Sequence, residues 1–369
     1  MGGPLRVLHV VVNMNRGGAE SLIMNLYRNM ERTKIQFDFL TCKEGVFDSE
    51  ITEMGGVIYR IPYISDIGPL GYRKELNTFF KAHKHFQIVH CHMDKMSGLV
   101  LRAAKSAGIP IRISHSHNTK SEGGLAARLY KWYAGQWILP NSTNLLACSD
   151  DAAKWLFKEK SHSTTIIRNG IEIKNFTFSS KIRKEIRQEL KLNDQQFVLG
   201  HVGRFNHQKN HSFLIDVFAH WNKKNEDSVL ILVGDGELQA DIERKIKRLN
   251  LKDKVYLLGS RSDINRLLQA FDLFLFPSLH EGIPVSLIEA QGAGLPCLIS
   301  DAISKDVDMG MNVVEYAPIT NSDLWVENIN KIKEQQAKRN KISNGLLKHG
   351  YDIKETAHYI EDYYLAISR

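Results

Sequence analysis

Two carboxylates eight residues apart carry the clearest chemical signal in this chain. They are Glu281 and Glu289, within Phe276-Pro277-Ser278-Leu279-His280-Glu281-Gly282-Ile283-Pro284-Val285-Ser286-Leu287-Ile288-Glu289-Ala290. A carboxylate accepts several hydroxyl donors, which suits recognition of a polyol. The stretch reads as a strand ending at Pro277, a polar loop, and a helix starting near Pro284, since proline favours a first helical position. The N–H groups of Gly282 and Ile283 then fall at or near a helix N-terminus, a natural seat for an anion or for sugar hydroxyls. The plainer alternative has Glu281 capping the helix and Glu289 facing water.

Gly203-Arg204-Phe205-Asn206-His207-Gln208-Lys209-Asn210 follows another strand-like run. A glycine turn at a strand end with Arg204 and Lys209 before a helix is built to meet a pyrophosphate: Arg204 as a fork, Lys209 as a point charge. Solvated basic side chains are the alternative. A third turn, Asn15-Arg16-Gly17-Gly18-Ala19-Glu20, lets backbone approach a ligand at a helix start. It lacks the G-x-G-x-x-G spacing of a dinucleotide cofactor site. A tight strand-to-helix connection alone also explains it.

His90, His92, His115 and His117 form two H-x-H pairs at the ends of two strand-like runs. Such pairs can bind zinc, and that reading makes the chain a metal-dependent hydrolase. No acidic ligand pattern accompanies them, and alternation turns Cys91 to the opposite face. The favoured reading places one histidine, His117, at a cleft while the others pack or hydrogen-bond locally. Arg128-Leu129-Tyr130-Lys131-Trp132-Tyr133 to Trp137 mixes basic and aromatic residues on a helix. It reads either as a helix packed on its own sheet with basic tips in water, or as a surface resting on a membrane.

The elements that must position these residues alternate. Strands are expected at Arg6–Val12, Phe37–Thr41, Val57–Pro62, Ile88–His92, Ile111–His117, Leu145–Ser149 and Thr164–Arg168. A second series follows at Phe197–Gly203, Val229–Gly234, Val255–Gly259, Asp272–Pro277, Pro296–Ser300 and Val313–Ala317. Helical periods lie between them: Ala19, Leu22, Ile23, Leu26 and Tyr27, then 70–84, 95–107, 123–138 and 150–160 in the first half. In the second half they span 208–224, 237–249, 261–270, 284–293 and 322–336, with a tail helix over 353–367. Strand–helix alternation implies parallel sheets covered on both faces. A turn signal from Asn169 to Ser180 separates two halves. The expected organisation is 1–175, 176–350, and a last helix over 351–369 crossing back to the first domain, with ligands in the cleft between two α/β domains.

At 369 residues the chain exceeds what one core usually supports. Hydrophobic residues at 43% and charged residues at 24% describe an ordinary globular protein. No apolar run reaches the ~20 residues of a membrane span, and the opening run from Met1 to Arg6 leads straight into a strand, without a signal peptide's regions. The four scattered cysteines read as buried thiols, so a cytoplasmic location, with the inner face of the membrane as an option, is expected. The net charge of +8 points to an anionic partner: a phosphorylated donor, an anionic membrane surface or a lipid-linked acceptor. No nucleic-acid-binding module is recognisable.

In order along the chain, Gly17-Gly18-Ala19-Glu20, Ser116-His117, Ala147-Cys148-Ser149, Arg168-Asn169-Gly170-Ile171, Gly203-Arg204 with Lys209-Asn210, Gly234-Asp235-Gly236 and the Glu281/Glu289 pair resemble the retaining GT-B glycosyltransferases known as glycosyl transferases group 1, or family 4. The segments 14–20 and 114–119 look closest to bacterial exopolysaccharide and capsule enzymes.

The resemblance implies transfer of a sugar from a nucleotide-sugar, UDP-sugar favoured, to a carbohydrate or lipid-linked saccharide, with retention of configuration and no metal or other cofactor. It implies that Arg204 and Lys209 hold the donor diphosphate and that Glu289 binds ribose. Glu281 with the amides of Gly282 and Ile283, beside Pro284, holds the donor sugar, and His117 contacts it. Gly17 and Gly18 close over the phosphate, and the region of Ser260, Arg261 and Ser262 meets the base. Two departures stand out: Asp301 to Asp306 replaces a Gly-rich Pro-Glu turn of many relatives, and Asn118 follows His117 where many carry Asp. An epimerase or sugar phosphorylase on the same fold, the histidine-based hydrolase, and a non-catalytic donor-binding subunit remain as rivals.

Overall fold

The computed structural model describes residues 3–121, 124–335, 339 and 344–369. Met1, Gly2, the first position of the helix expected over 123–138 and the last of that over 322–336 lie outside the described residues. The chain divides into two units, residues 1–170 with 350–369, and residues 171–349.

The first unit contains β1 (Leu5–Val10), α1 (Gly18–Asn29), β2 (Ile35–Thr41), α2 (Asp48–Glu53), β3 (Ile58–Arg60), α3 (Ile64–Ala82), β4 (Ile88–Cys91), α4 (Ser97–Ser106), β5 (Ile111–Ser116), α5 (Leu125–Gly135), α6 (Ile138–Asn141), β6 (Asn144–Ala147), α7 (Asp150–Phe157) and β7 (Thr165–Ile166). The second contains α8 (Ile173–Phe176), α9 (Ser180–Glu189), β8 (Phe197–Val202), α10 (His211–Asn222), β9 (Ser228–Val233), α11 (Gln239–Arg248), β10 (Val255–Leu257), α12 (Ile264–Ala270), β11 (Leu273–Phe276), α13 (Val285–Gly292), β12 (Cys297–Ser300), β13 (Val314–Ala317), α14 (Ser322–Gln335) and α15 (Asn344–Lys348). The chain then returns to the first unit as α16 (Ile353–Ile367).

The first sheet has the order β3-β2-β1-β4-β5-β6-β7 and the second β10-β9-β8-β11-β12-β13. Every pairing in both is parallel. Parallel strands joined by crossover helices are buried on both faces, which is why β2 and β9 are buried at every position. In the first unit, α1 and α16 cover one face. Leu22, Ile23 and Leu26 meet Ile353, Ala357 and Ile360 over Val7, Ile88 and Ile113. On the other face Tyr72, Leu76, Phe80 and Val100 pack on Leu8, Val89 and Cys91. The second core joins Leu214, Phe218 and Trp221 to Leu199, Leu230, Trp325 and Ile329.

α3 is broken at Gly68, whose φ of 70° is followed by Pro69, so its regular part starts where periodicity does, at residue 70. The turn region 169–180 holds the short α8, and α9 follows, neither expected from periodicity. α9 is mostly charged, and its anchor is distant: Arg183 and Arg187 bond Asp272 at 2.6 and 2.7 Å. Ser179 caps it, accepting the Ile182 N–H. No helix among the described residues is long and apolar enough to cross a membrane.

Both sheets reverse direction in strand order at one point, between β1 and β4 and between β8 and β11. At such a switch point the loops leaving two neighbouring strands diverge to opposite faces and open a crevice at their carboxyl ends.

Candidate active site

At the second unit's switch point, the loops after β8 and β11 carry the two most informative sequence segments. Glycine shapes the first. The Gly203 N–H bonds the Val233 carbonyl at 2.9 Å, and Phe205 N–H bonds the Asp235 carbonyl at 2.7 Å. Gly234 has φ 139° and packs so closely that a Cβ there would sit 2.1 Å from the Gly203 oxygen. Only glycine allows that contact. Asn206 Oδ1 accepts the Lys209 N–H at 3.1 Å, closing the turn before α10.

The two loops are tied together. Leu279 N–H donates to the Gln208 carbonyl at 2.9 Å, and Gln208 Nε2 donates to the His280 carbonyl at 2.8 Å. This brings Lys209 Nζ to 2.7 Å from Glu281 Oε1 and 4.5 Å from the centre of the Phe276 ring. Arg204, on the same turn, is exposed, with no hydrogen bond or ion pair to its side chain among the described residues.

The structure corrects the helix start. Pro284 is the N-cap, with extended ψ of 124°, and the first helical residue is Val285. The N–H groups of Gly282 and Ile283 find no acceptor among the described residues, so they remain available before the helix. Glu281 does not cap α13; its carboxylate is on Lys209. Glu289, in the second turn, is partly buried with no hydrogen-bond partner among the described residues, and burial pushes its carboxyl up to about 7. A desolvated carboxylate without donors is an acceptor awaiting them.

After β10, the Gly259 carbonyl accepts the Gly234 N–H at 2.8 Å, which joins this loop to the same cluster of turns. Arg261 is committed to carboxylates: to Asp263 through two bonds of 2.8 Å and to Glu189 at 3.1 Å. Those bonds hold its guanidinium above the ordinary range. Its side chain braces the loop, and Ser260 is the exposed member of the pair.

In the first unit, Gly17 caps α1 with extended backbone, and a Cβ there would lie 2.2 Å from Glu20 Oε2. Gly18 faces open space. His117 directly follows β5, its N–H 3.4 Å from Asp94 Oδ1, while Asn118 donates to Asp94 Oδ2 at 2.5 Å. Asp94 is a positioning residue that spacing did not single out.

The histidines form one array on the α1/α16 face, buried at His9, His90, His92 and His115 and half-buried at His117. His92 Nδ1 lies 2.8 Å from His117 Nε2, and His9 Nδ1 lies 3.0 Å from His92 Nε2. His90 Nε2 lies 3.1 Å from His115 Nδ1, and His90 Nδ1 lies 2.6 Å from the Tyr364 hydroxyl. Burial lowers all five, His9 and His117 to about 3, and mutual repulsion adds to it for His90, His92 and His115. Two overlapping sets, His9-His90-His92 and His92-His115-His117, bring three ligand nitrogens within 4.8 Å of one another. Neutral imidazoles are the ligating form, yet among the described residues no carboxylate or thiolate joins either set and the rings already bond each other. His9 and Tyr364 were not legible as members, since a single histidine in a strand has no spacing to read.

The two halves match two family models, "Glycosyltransferase Family 4" over residues 16–175 and "Glycosyl transferases group 1" over residues 182–349. The chain is 38% identical over 362 residues to the glycosyltransferase EpsF of Bacillus subtilis (strain 168), covering 95% of this chain and 94% of that one. It is 32% identical over 282 residues to the UDP-Gal:alpha-D-GlcNAc-diphosphoundecaprenol alpha-1,3-galactosyltransferase of Escherichia coli, covering 72% of each. Among solved structures, Anabaena HepE in complex with UDP and glucose superposes with a TM-score of 0.81 at 21% identity, covering 98% of this chain and 99% of that one. With both halves matched in order on two parallel-sheet, Rossmann-like units, the chain belongs to the group 1, family 4 glycosyltransferases of GT-B fold.

Proposed function

We propose that this enzyme transfers a sugar from a UDP-sugar to a saccharide carried on a lipid diphosphate, in bacterial exopolysaccharide or capsule synthesis, retaining anomeric configuration and using no metal. The observation that carries the reading is the switch-point cluster of the second unit. Two cations, Arg204 and Lys209, and the amides of Gly282 and Ile283 stand on loops tied to one another, with Glu289 in the helix that follows; among the described residues the two amides and Glu289 have no hydrogen-bond partner. That set matches a nucleoside diphosphate joined to a sugar: cations for phosphate, a carboxylate for ribose, Glu281 and amides for the hexose. The Escherichia coli relative's name, with UDP-Gal as donor and a diphosphoundecaprenol-linked acceptor, and the UDP in HepE support the choice of base and acceptor class.

In the proposed step the acceptor oxygen bonds the anomeric carbon as the bond from that carbon to the β-phosphate oxygen breaks. The electron pair leaves with UDP, and the acceptor proton passes to the departing phosphate on the same face. Arg204 and Lys209 stabilise the charge that develops there. Glu281 orients the sugar, with Lys209 holding its carboxylate in place. The family resemblance assigns His117 a contact with the donor sugar and the Gly17-Gly18 turn a place over its phosphate. Ser260 and the backbone beside Arg261 meet the base. The activity is placed in the cytoplasm, where nucleotide-sugars are made.

The test is thermal stabilisation by UDP-, GDP-, ADP- and dTDP-sugars, each with and without EDTA, followed by the anomeric configuration of the product. A ligand at about a hundred times its Kd adds roughly 2.7 kcal/mol. Stabilisation by UDP-sugars that survives EDTA is the expected result. Stabilisation by metal alone, abolished by EDTA, would move the chemistry to the histidine array.

A further inference from the structure

Among the described residues the ring of His117 is hydrogen-bonded through Nε2 alone. That nitrogen is 2.8 Å from His92 Nδ1, while Nδ1 of His117 is shielded from water with no partner. His92 Nε2 is in turn 3.0 Å from His9 Nδ1, and His9 Nε2 has no partner. His9 lies in β1, His92 follows β4 and His117 follows β5, so three neighbouring strands line the rings up. The backbone of His117 is gripped separately, by the carboxylate of Asp94, itself at φ 47°, a conformation uncommon for a residue with a side chain.

Burial holds all three imidazoles neutral, so each donates from one nitrogen and accepts at the other. Two arrangements alone make both bonds: protons on all three Nδ1 atoms, or on all three Nε2 atoms. Any mixture sets donor against donor or acceptor against acceptor. The first arrangement leaves a spare N–H at His117 Nδ1, the second at His9 Nε2. His9 is fully buried, its ring 4.1 Å from that of Phe37 and 5.8 Å from that of Phe39, and neither offers a lone pair. An N–H there stays stranded and costs its desolvation, whereas one at His117 is satisfied once a ligand oxygen arrives.

We propose that His92 and His9 are positioning residues that lock His117 as an Nδ1–H donor toward a hydroxyl oxygen of the donor sugar. One contact sets both properties of the ring. A flip of His117 would put carbon against His92 Nδ1, and the other tautomer would put N–H against N–H. The sugar oxygen accepts from a ring whose proton is already in place, so binding needs no proton rearrangement in the core. The proposal rests on the contact between His117 and the donor sugar stated above; its own observations are the two ring bonds and the two unpartnered ends.

The experiment joins nuclear magnetic resonance of the full chain labelled with ¹⁵N-histidine to calorimetry with UDP, UDP-glucose and UDP-galactose. Long-range proton–nitrogen correlations read each tautomer. His9, His92 and His117 are expected to share one tautomer in the free protein, and to be Nδ1–H with the UDP-sugar that binds. The sugar's share of affinity is the ratio of the Kd of UDP to that of the UDP-sugar. His92→Phe should lower this ratio about tenfold with the Kd of UDP and the circular dichroism unchanged. His92→Asn, whose side-chain N–H stands in for Nδ1–H, should recover most of it. His117→Phe should lose as much, and His92→Phe with His117→Phe no more than either alone. Mixed tautomers, or a normal ratio in His92→Phe where His117→Phe loses it, overturn the proposal. If neither variant changes the ratio, the sugar contact of His117 falls as well. If the wild type binds neither UDP-sugar, the donor reading fails, and the tautomers in the free protein still decide whether the chain of rings exists.

Discussion

Lys209 and Glu281 stand 72 residues apart in sequence, on the loops after β8 and β11, and meet with 2.7 Å between Nζ and Oε1. The pair is mostly shielded, its side chains 14% and 9% exposed, whereas Arg204 on the same turn is exposed. The two cations assigned to the diphosphate therefore differ in what else they hold up. Arg204→Ala should reduce kcat/KM by the equivalent of about 2–4 kcal/mol with the thermal midpoint unchanged. Lys209→Met should cost a similar loss of turnover and also about 3 kcal/mol of stability, because Glu281 is left charged and shielded without a partner. Steady-state kinetics beside thermal unfolding checks both. An Arg204 variant with normal turnover would remove that residue from the mechanism.

Glu281 and Glu289 should separate in the same assays. Glu281→Ala is expected to lower kcat more than the affinity for UDP, since the proposed role of its carboxylate is to orient the sugar. Glu289→Gln should weaken UDP itself, and pH tells why. The folded carboxyl is raised to about 7 from an ordinary value near 4.5, so its stability contribution is full below the unfolded value and is lost as pH rises through 7. The full difference is about 3 kcal/mol, and Glu289→Gln should recover it above pH 7. Ribose hydroxyls donate to the charged form, so UDP affinity should rise with pH across the same interval in the wild type and stay flat in Glu289→Gln. Calorimetric titration at pH 6 and 8 decides it; a pH-independent wild type would detach Glu289 from the nucleotide.

The histidine array makes the opposite pH demand on the first unit. His9, His90, His92, His115 and His117 are held neutral when folded but take protons when unfolded near 6.5. Their contribution is complete above that value and is lost as pH falls toward the depressed folded values. At pH 5 each histidine held neutral accounts for about 2 kcal/mol in favour of unfolding. Acidification from pH 7 to 5 should therefore unfold the first unit steeply, while Glu289 in the second unit gains stability. Near-ultraviolet circular dichroism of the wild type and of His90→Phe with His115→Phe checks this. The double variant should have a shallower acid transition, and an identical one would mean the array does not govern it.

The alternation of β-branched strands with 3.6-residue periods made both sheets legible, because parallel sheets need nothing else locally. α9 was not: Ile182 and Ile186 are too few to show a period, and what holds the helix is Asp272, just before β11 and far along the chain. The site was legible as positions and not as relationships. Glu289 stood at its place in the helix, but its lack of a partner is a property of the fold. His9 became a neighbour of His90 only through the register of β1 on β4. Apolar residues on both sides of α5 were equally visible as letters, and only packing shows that Ala134 is buried while Leu129 and Trp132 stand outside.

Tyr364 on α16 offers the sharpest probe of how the chain's end supports the first unit. Its hydroxyl lies 2.6 Å from His90 Nδ1, and Glu361, one turn earlier, accepts the Glu31 N–H at 3.1 Å and Lys34 at 3.2 Å. If the tyrosine donates to His90 Nδ1, the His90 proton sits on Nε2 and is given to His115 Nδ1, leaving the His115 proton on Nε2, which has no partner among the described residues. Tyr364→Phe removes the donor at the head of this chain and strands a buried ring nitrogen, for an expected loss of about 1–3 kcal/mol. Truncation after Gly350 goes further, removing Ile353, Ala357, Ile360 and Tyr364 from the core that α1 shares, at about 2–5 kcal/mol for each large side chain. In urea unfolding, Tyr364→Phe should shift the midpoint without changing the slope, whereas the truncated chain should lose the cooperative transition of the first unit. If the truncated chain unfolded like the wild type, α16 would rest on a core already complete without it.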